Sequence, residues 1–304
     1  MTDATSVAEY VQARRTEVDA RLATLLPSPP DCPAPVAEAM RYSLTAGGKR
    51  LRPVLCLASA EAVGGSTADV LSAACAIELI HTYSLVHDDL PAMDDDSMRR
   101  GRPTLHVVAG EGMAILAGDG LLTEAFHVLA GLQGDPARVL RAIGLIAGAA
   151  GPIGMVGGQA IDLACVTPDP QGHTAPPLDG AGLAAMHAKK TGALIRASAV
   201  AGAILGGGAE AQIAAIDAAA SEFGLAFQIV DDILDVEGDA AQLGKSPGKD
   251  AAAGKPTYPA LYGIASSRQM AEACIVRATA SLTAADLADS WLLGIGRWIV
   301  ERRN

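Results

Sequence analysis

Runs in which alanine and leucine are interspersed with glutamate and arginine fill most of the chain, whereas alternation of β-branched and polar residues over strand length is scarce. This pattern predicts an all-α protein. Helices are expected over about 4–25, 34–42, 50–63, 67–89, 111–130, 135–164, 178–206, 209–236, 257–280 and 283–302. Breakers fall between them: LLPSPPDCPAP at 25–35, TAGGKRLRP at 45–53 and VTPDPQGHTAPP at 166–177, the last being the longest expected surface loop. None is long or polar enough to separate two domains, so residues 1–304 are expected to form one helical domain around one central cavity.

Composition narrows the classes of function. Half of the 304 residues are hydrophobic and 19% are charged, which supplies a large core and excludes general disorder. Only 3% are aromatic, so close helix packing through small side chains must build much of that core. A net charge of -11 argues against a nonspecific nucleic-acid or anionic-membrane surface. The five cysteines, at 32, 56, 75, 165 and 274, form no CxxC pair. They suggest a reducing, cytoplasmic setting without structural disulfides or zinc, and the first twenty residues lack the apolar run of a secretory signal. The apolar stretch 140–158 contains Pro152, Arg141 and many small residues, which fits a buried helix better than stable membrane insertion.

Two acidic motifs stand about 140 residues apart, each entered through an apolar helix. In DDILD, Asp231 and Asp235 lie one turn apart on one helix face, with Asp232 beside them. In DDLPAMD, Asp88 and Asp89 close a helix, Pro91 interrupts it and Asp94 follows. Carboxylates this close repel one another, and at a helix C-terminus they also face the unfavourable pole of its dipole. A cation is therefore expected between them. Oxygen-only ligands suit Mg²⁺, which binds through a few carboxylates together with substrate phosphates. The EF-hand spacing is missing, while nearby His81 and His87 leave a two-metal hydrolase as a chemical alternative.

Basic residues select the chemistry. Lys49, Arg50 and Arg52 follow Gly47 and Gly48, RRGRPT supplies Arg99, Arg100 and Arg102, KKTG supplies Lys189 and Lys190, and Lys245 and Lys255 follow the second acidic pair. Arginine grips phosphate oxygens bidentately and lysine adds a mobile charge. Their distribution predicts two diphosphate sites. One is bridged through Mg²⁺ to the aspartates and shielded by Arg99, Lys190 and Lys245; the other is metal-free against Lys49, Arg52 and Arg100, with a hydrogen bond from His81. Ile77, Leu85, Val86, Phe223, Phe227, Ile229 and Val230 provide apolar surface on the two acidic helices for a hydrocarbon beneath the phosphates.

Taken in order, GGKRLRP (47–53), ELIHTYSLVHDDLPAMDDDSMRRGRPT (78–104), GGQAIDL (157–163), KTGALI (190–195), FQIVDDILDVEGD (227–239), LGK (243–245) and GKPTYPAL (254–261) resemble the trans-polyprenyl diphosphate synthases. Within that family the motifs resemble most those of the bacterial farnesyl diphosphate synthases. The resemblance implies the isoprenoid synthase fold, antiparallel helices around a deep central cavity, assembled as a homodimer. It implies Mg²⁺-dependent prenyl transfer, with three ions bound alongside an allylic diphosphate: isopentenyl diphosphate condenses with dimethylallyl or geranyl diphosphate to give farnesyl diphosphate and diphosphate. Metal ligation is thereby assigned to Asp88, Asp89, Asp94, Asp231, Asp232 and Asp235. The allylic site is assigned to Arg99, Lys190, Thr191, Gln228, Lys245 and Lys255, and the homoallylic site to Lys49, Arg52, His81 and Arg100. Tyr83 and Ser84, five and four positions before the first aspartate, are assigned to the cavity floor that limits chain length. Ser97 and Pro256 depart from the usual motif residues without removing a core aspartate. The alternatives are the same reaction stopped at geranyl or geranylgeranyl diphosphate, a terpene cyclase or head-to-head synthase, and a catalytically silent partner subunit. Arg302 and Arg303 are either solvated or assist diphosphate binding.

Overall fold

The computed structural model describes residues 4–167, 171–173, 175–237 and 256–302. Helices α1 (Ala4–Leu25), α2 (Ala34–Leu44), α3 (Leu51–Ala62) and α4 (Thr67–Asp88) lie close to their expected bounds. A two-residue ladder then pairs β1 (Met98–Arg99) antiparallel with β2 (Arg102–Pro103), through a turn in which Arg100 and Gly101 both have positive φ. A turn of that kind matches the twist of a tight hairpin. Helices α5 (Leu105–Ala109) and α6 (Glu111–Ala130) follow.

Three expected helices are broken. The segment predicted over 135–164 is α7 (Pro136–Ala150) and α8 (Met155–Val166). Pro152 pushes Gly151 into an extended conformation, and a side chain at Gly154 would strike the Ala149 carbonyl. The segment predicted over 178–206 divides into α9 (Gly180–His187), a π-helical turn (Ala188–Gly192) and α10 (Ala193–Leu205). The last break falls at Gly263, φ 78°, between α12 (Tyr258–Tyr262) and α13 (Ile264–Thr283). Helix α11 (Glu210–Glu237) precedes these, and α14 (Trp291–Glu301) follows.

Helix α10 forms the centre of the core, buried from Leu194 to Ile204 except at Arg196, and packs on α3, α7 and α11. The scarcity of aromatic residues is answered by contact through glycine. A Cβ at Gly202 would lie 2.0 Å from the Cys56 carbonyl oxygen of α3, and one at Gly224 of α11 would lie 2.9 Å from the Gly192 Cα. Backbones this close gain dispersion contacts that larger side chains would forbid.

Among the described residues, four apolar segments are long enough to cross a membrane: α4, α6, the span Pro136–Val166 and α11. Burial in the core accounts for most of α4, where 67% of the apolar window is enclosed, but only 33% of that of α6 is. Val107 and Val108 of α5 and Ile115 and Leu116 of α6 stand exposed.

Candidate active site

Helix α4 delivers the first acidic motif. It ends at Asp88 because Leu90 precedes Pro91, and the following loop folds back, with the Asp94 and Asp96 amides donating to the Asp88 and Asp89 carbonyls at 2.9 and 3.2 Å. Asp89 is buried and accepts from Arg99 Nε at 2.6 Å, and the same guanidinium lies 3.7 Å from Asp96. Burial pushes the Asp88 carboxyl up to about 6; Asp94 and Asp89 push the same way, while Lys190 and Arg99 oppose them. The anion at Asp88 is thus held at an electrostatic disadvantage that a cation would remove.

The second motif stands on α11. Asp231 is partly exposed and takes Arg302 Nη2 at 2.6 Å. Asp232 is buried: its oxygens accept from Gln228 Nε2 at 2.8 Å and from the Tyr258 amide at 3.0 Å, with His187 Nε2 at 3.8 Å. Asp235 is buried one turn further on. Gln228 in turn accepts from Thr191 Oγ1 at 3.1 Å, which ties the π-helical turn to α11. That turn bulges where α8 presses against it, since a Cβ at Gly158 would lie 2.1 Å from the Lys190 nitrogen.

Opposite the aspartates, α3 begins at a left-handed Arg50, φ 50°. Arg50 points into the core, to Glu78 and Asp19 at 2.8 Å each, and donates to the Leu44 carbonyl at 2.7 Å. It is a structural ion pair, whereas its neighbours Lys49 and Arg52 differ in setting. Arg52 is buried beside the cavity, and desolvation lowers its guanidinium to about 10, with Glu78 and Asp231 opposing that fall. It therefore stays charged at neutral pH. Burial first, and Arg52 and Arg100 next, hold His81 well below the ordinary imidazole range, so it is neutral. Arg100, carried by the hairpin turn, donates to the Gly47 carbonyl, and its guanidinium lies where a side chain at Gly48 would be, 2.5 Å from an ideal Cβ. Lys49 Nζ sits over the Phe227 ring at 5.9 Å, and Arg302 covers that ring at 4.0 Å.

A cavity of about 390 Å³ opens between these groups. Arg52, His81, Asp88, Lys190 and Thr191 line its polar end, and Tyr83, Leu85, Met93, Met155, Val156 and Leu163 its apolar wall, with Ser84 and Gln159 between. Asp231 interacts electrostatically with Arg52, and Gln228 bonds to Thr191, which links the second acidic helix to two residues that line the cavity. Tyr83 packs edge-on against His87, ring centroids 5.8 Å apart. The His87 imidazole settles against α6 at Gly118, where a Cβ would meet it at 2.2 Å.

Among the described residues, no three acidic, histidine or cysteine side chains converge on one point. The donor set nevertheless fits Mg²⁺, because hard carboxylate oxygens and a destabilised anion at Asp88 border a cleft rich in phosphate-binding cations, and that ion completes its shell with water and substrate oxygens. Lys245 and Lys255 lie outside the described residues, as does Arg303. Sequence reasoning passed over Asp162 and left Arg302 open between two settings. Asp162, inside GGQAIDL, is buried and pairs with Lys190 Nζ, a partnership that needs α8 to cross the π-helical turn. Arg302, whose role was open, is buried with its guanidinium on Asp231, Phe227 and the Phe227 carbonyl.

An all-α fold with paired aspartates and clustered cations around an apolar cavity defines a class of enzymes that ionise diphosphates. Within it, residues 33–287 match the polyprenyl synthetase family model, and the chain belongs to that family. It has the isoprenoid synthase fold and is a head-to-tail prenyltransferase. It is 47% identical over 280 residues to the heterodimeric geranylgeranyl pyrophosphate synthase large subunit 1, chloroplastic, of Arabidopsis thaliana, covering 90% of this chain and 73% of that one. It is 44% identical over 307 residues to the dimethylallyltranstransferase of Fischerella ambigua, covering 100% and 86%. The apo crystal structure of an FPP/GFPP synthase from Zymomonas mobilis superposes with a TM-score of 0.85 at 37% identity, over 98% of this chain and 100% of that one. The cytoplasmic expectation is contradicted by these comparisons, because the plant relatives are named chloroplastic. Cysteine usage reports redox conditions, which different compartments can share.

Proposed function

We propose that the enzyme condenses isopentenyl diphosphate once with geranyl diphosphate, or twice in succession from dimethylallyl diphosphate, and releases farnesyl diphosphate with one diphosphate per condensation. The observation behind this reading is the cavity itself, which has an acidic and a cationic polar end above an apolar wall bounded by Tyr83. Asp88 lines the cleft, Asp94 and Asp231 are partly exposed, and Asp89, Asp232 and Asp235 are buried; these six are the carboxylates that would hold Mg²⁺. Mg²⁺ held there would supply positive charge to the departing diphosphate. Lys190 and Arg99 add fixed charge at the same end, Thr191 and Gln228 present dipoles below it, and enclosure keeps water from the cation. Arg52, neutral His81, Arg100 and Lys49 hold the second diphosphate without metal.

Incubation with labelled isopentenyl diphosphate and separate allylic primers, with and without Mg²⁺, tests this reading through the length of the product. Failure to consume isopentenyl diphosphate with any primer would overturn it. A second reading, geranylgeranyl diphosphate as product, is favoured by the names of the Arabidopsis relatives; the chromatogram of the wild-type product separates the two.

Tyr83→Ala should replace farnesyl by products one or more isoprene units longer, because it deletes a ring that is 8% exposed and lines the cavity. An unchanged chromatogram would remove Tyr83 from the floor. Gly48→Ala should raise KM for isopentenyl diphosphate about tenfold while sparing that of the allylic primer. The reason is local: the new methyl displaces Arg100, and only the homoallylic site depends on that side chain.

The exposed apolar residues of α5 and α6 support a homodimer formed through that face. Light scattering of the purified protein checks its mass.

A further inference from the structure

Helix α4 closes on two adjacent carboxylates, Asp88 and Asp89, where the negative pole of the helix dipole adds to their mutual repulsion. Backbone hydrogen bonds hold this last turn from within: the Asp89 amide donates to the Leu85 carbonyl and the Leu90 amide to the His87 carbonyl, at 3.1 Å each. A side chain ties the same turn to the neighbouring helix. His87 Nε2 lies 3.1 Å from the Ile115 carbonyl oxygen of α6, and because a carbonyl only accepts, that nitrogen carries the proton. The Asp119 carboxylate stays 4.0 Å from it. The ring fits against α6 because residue 118 has no side chain: all three atoms nearest to a Cβ added at Gly118 belong to the His87 imidazole. The ring also meets Tyr83 edge-on and borders the cavity.

Resting on the prenyl-transfer reading above, we propose that His87 and Gly118 form a seat that fixes the last turn of α4 against α6, which makes His87 a positioning residue for Asp88. The seat acts before any ligand arrives. It holds the Asp88 carboxylate at the cavity against the repulsion that frays the helix end, so less ordering remains to be done when Mg²⁺ and an allylic diphosphate bind. Gly118 touches neither; its part is to leave the space that the imidazole fills. The homoallylic diphosphate does not depend on the seat. Lys49 and Arg52 stand at the start of α3, Arg100 is held separately by the Gly47 carbonyl, and His81 lies more than a turn back inside α4.

Two measurements test the seat in wild type, His87→Ala, His87→Gln, Gly118→Ala and the alanine pair. In metal-free protein, hydrogen exchange at the Asp89 and Leu90 amides should be about tenfold faster in His87→Ala and in Gly118→Ala than in wild type. By calorimetry in Mg²⁺ buffer, affinity for an unreactive allylic thiolodiphosphate should fall about tenfold in the same two variants, while affinity for isopentenyl diphosphate, measured without metal, changes less than about twofold. His87→Gln, whose amide nitrogen reaches the Ile115 carbonyl, should recover most of both losses. The alanine pair should be no worse than His87→Ala alone, because the methyl added at position 118 then has no ring to strike. If Gly118→Ala does not fold, the comparison of His87→Ala with His87→Gln decides. Unchanged exchange and affinity in His87→Ala, equal weakening of both ligands, additive losses in the pair, or a glutamine variant as impaired as the alanine one overturns the seat while leaving the prenyl-transfer reading intact. Wild-type protein that condenses no isopentenyl diphosphate with any primer overturns that reading and, with it, the purpose given to the seat.

Discussion

Replacing Asp88 by alanine is expected to lower turnover about a thousandfold or more while leaving the protein folded. The size of the effect follows from what the carboxylate must do: diphosphate departs with its charge only if cations meet it, and Asp88 lines the chamber where that happens. Asp231→Ala should act similarly from the other side of the cleft. The effect on folding has the opposite sign at Asp88. Burial raises its carboxyl above the ordinary carboxylate range, so the folded state holds a proton that the unfolded chain has already lost. Stability contributed by this group is therefore lost as pH rises from the unfolded value of about 4 through the folded value of about 6. Without metal, Asp88→Ala should match or exceed the wild-type melting temperature at pH 7, and the gap should narrow toward pH 4. Near-normal turnover, or a melting temperature well below wild type at pH 7, would contradict the assignment.

The second large effect is structural. Glu78→Ala should destabilise the fold by about 3 kcal/mol or more, read as a lower urea midpoint with an unchanged slope. Arg50 and Glu78 pair at 2.8 Å with side chains only 2% exposed, so deletion of the acid leaves a guanidinium buried against the half-exposed Asp19 and the Leu44 carbonyl. Glu78 also offsets the desolvation of Arg52 and Arg100, so its loss leaves three cations in one low-dielectric region. Binding of inorganic diphosphate should weaken in the same variant, because Arg52 and Arg100 rest on that buried acid. A variant as stable as wild type would show that the pair contributes nothing net to the fold.

Helix content and the chemistry of the site were legible in the linear order of residues. Acidic and basic groups repeat at helical spacing, and their density in an otherwise apolar chain marks them as ligands for something charged. Arg50 shows where that reading stops: it lies within one motif with Lys49 and Arg52, yet its left-handed backbone turns it into the core, away from phosphate. Asp162 was invisible for the opposite reason, since it acquires meaning only when α8 crosses the π-helical turn. The broken helices follow the same logic. Gly151, Pro152 and Gly263 are visible breakers, but the π-helical turn at Ala188–Gly192 is imposed by a neighbour pressing against it.

What the sequence determined by itself is what depends on neighbours along the chain: helix periodicity, the breakers, and the charge repulsion within each aspartate motif that calls for a cation. What only the tertiary structure decided is which oxygens and nitrogens are dry, which are already paired, and which face one chamber. Those properties arise between residues distant in sequence, because desolvation and hydrogen bonding act through space, and the same side chain is a phosphate ligand or a core ion pair according to what lies across from it.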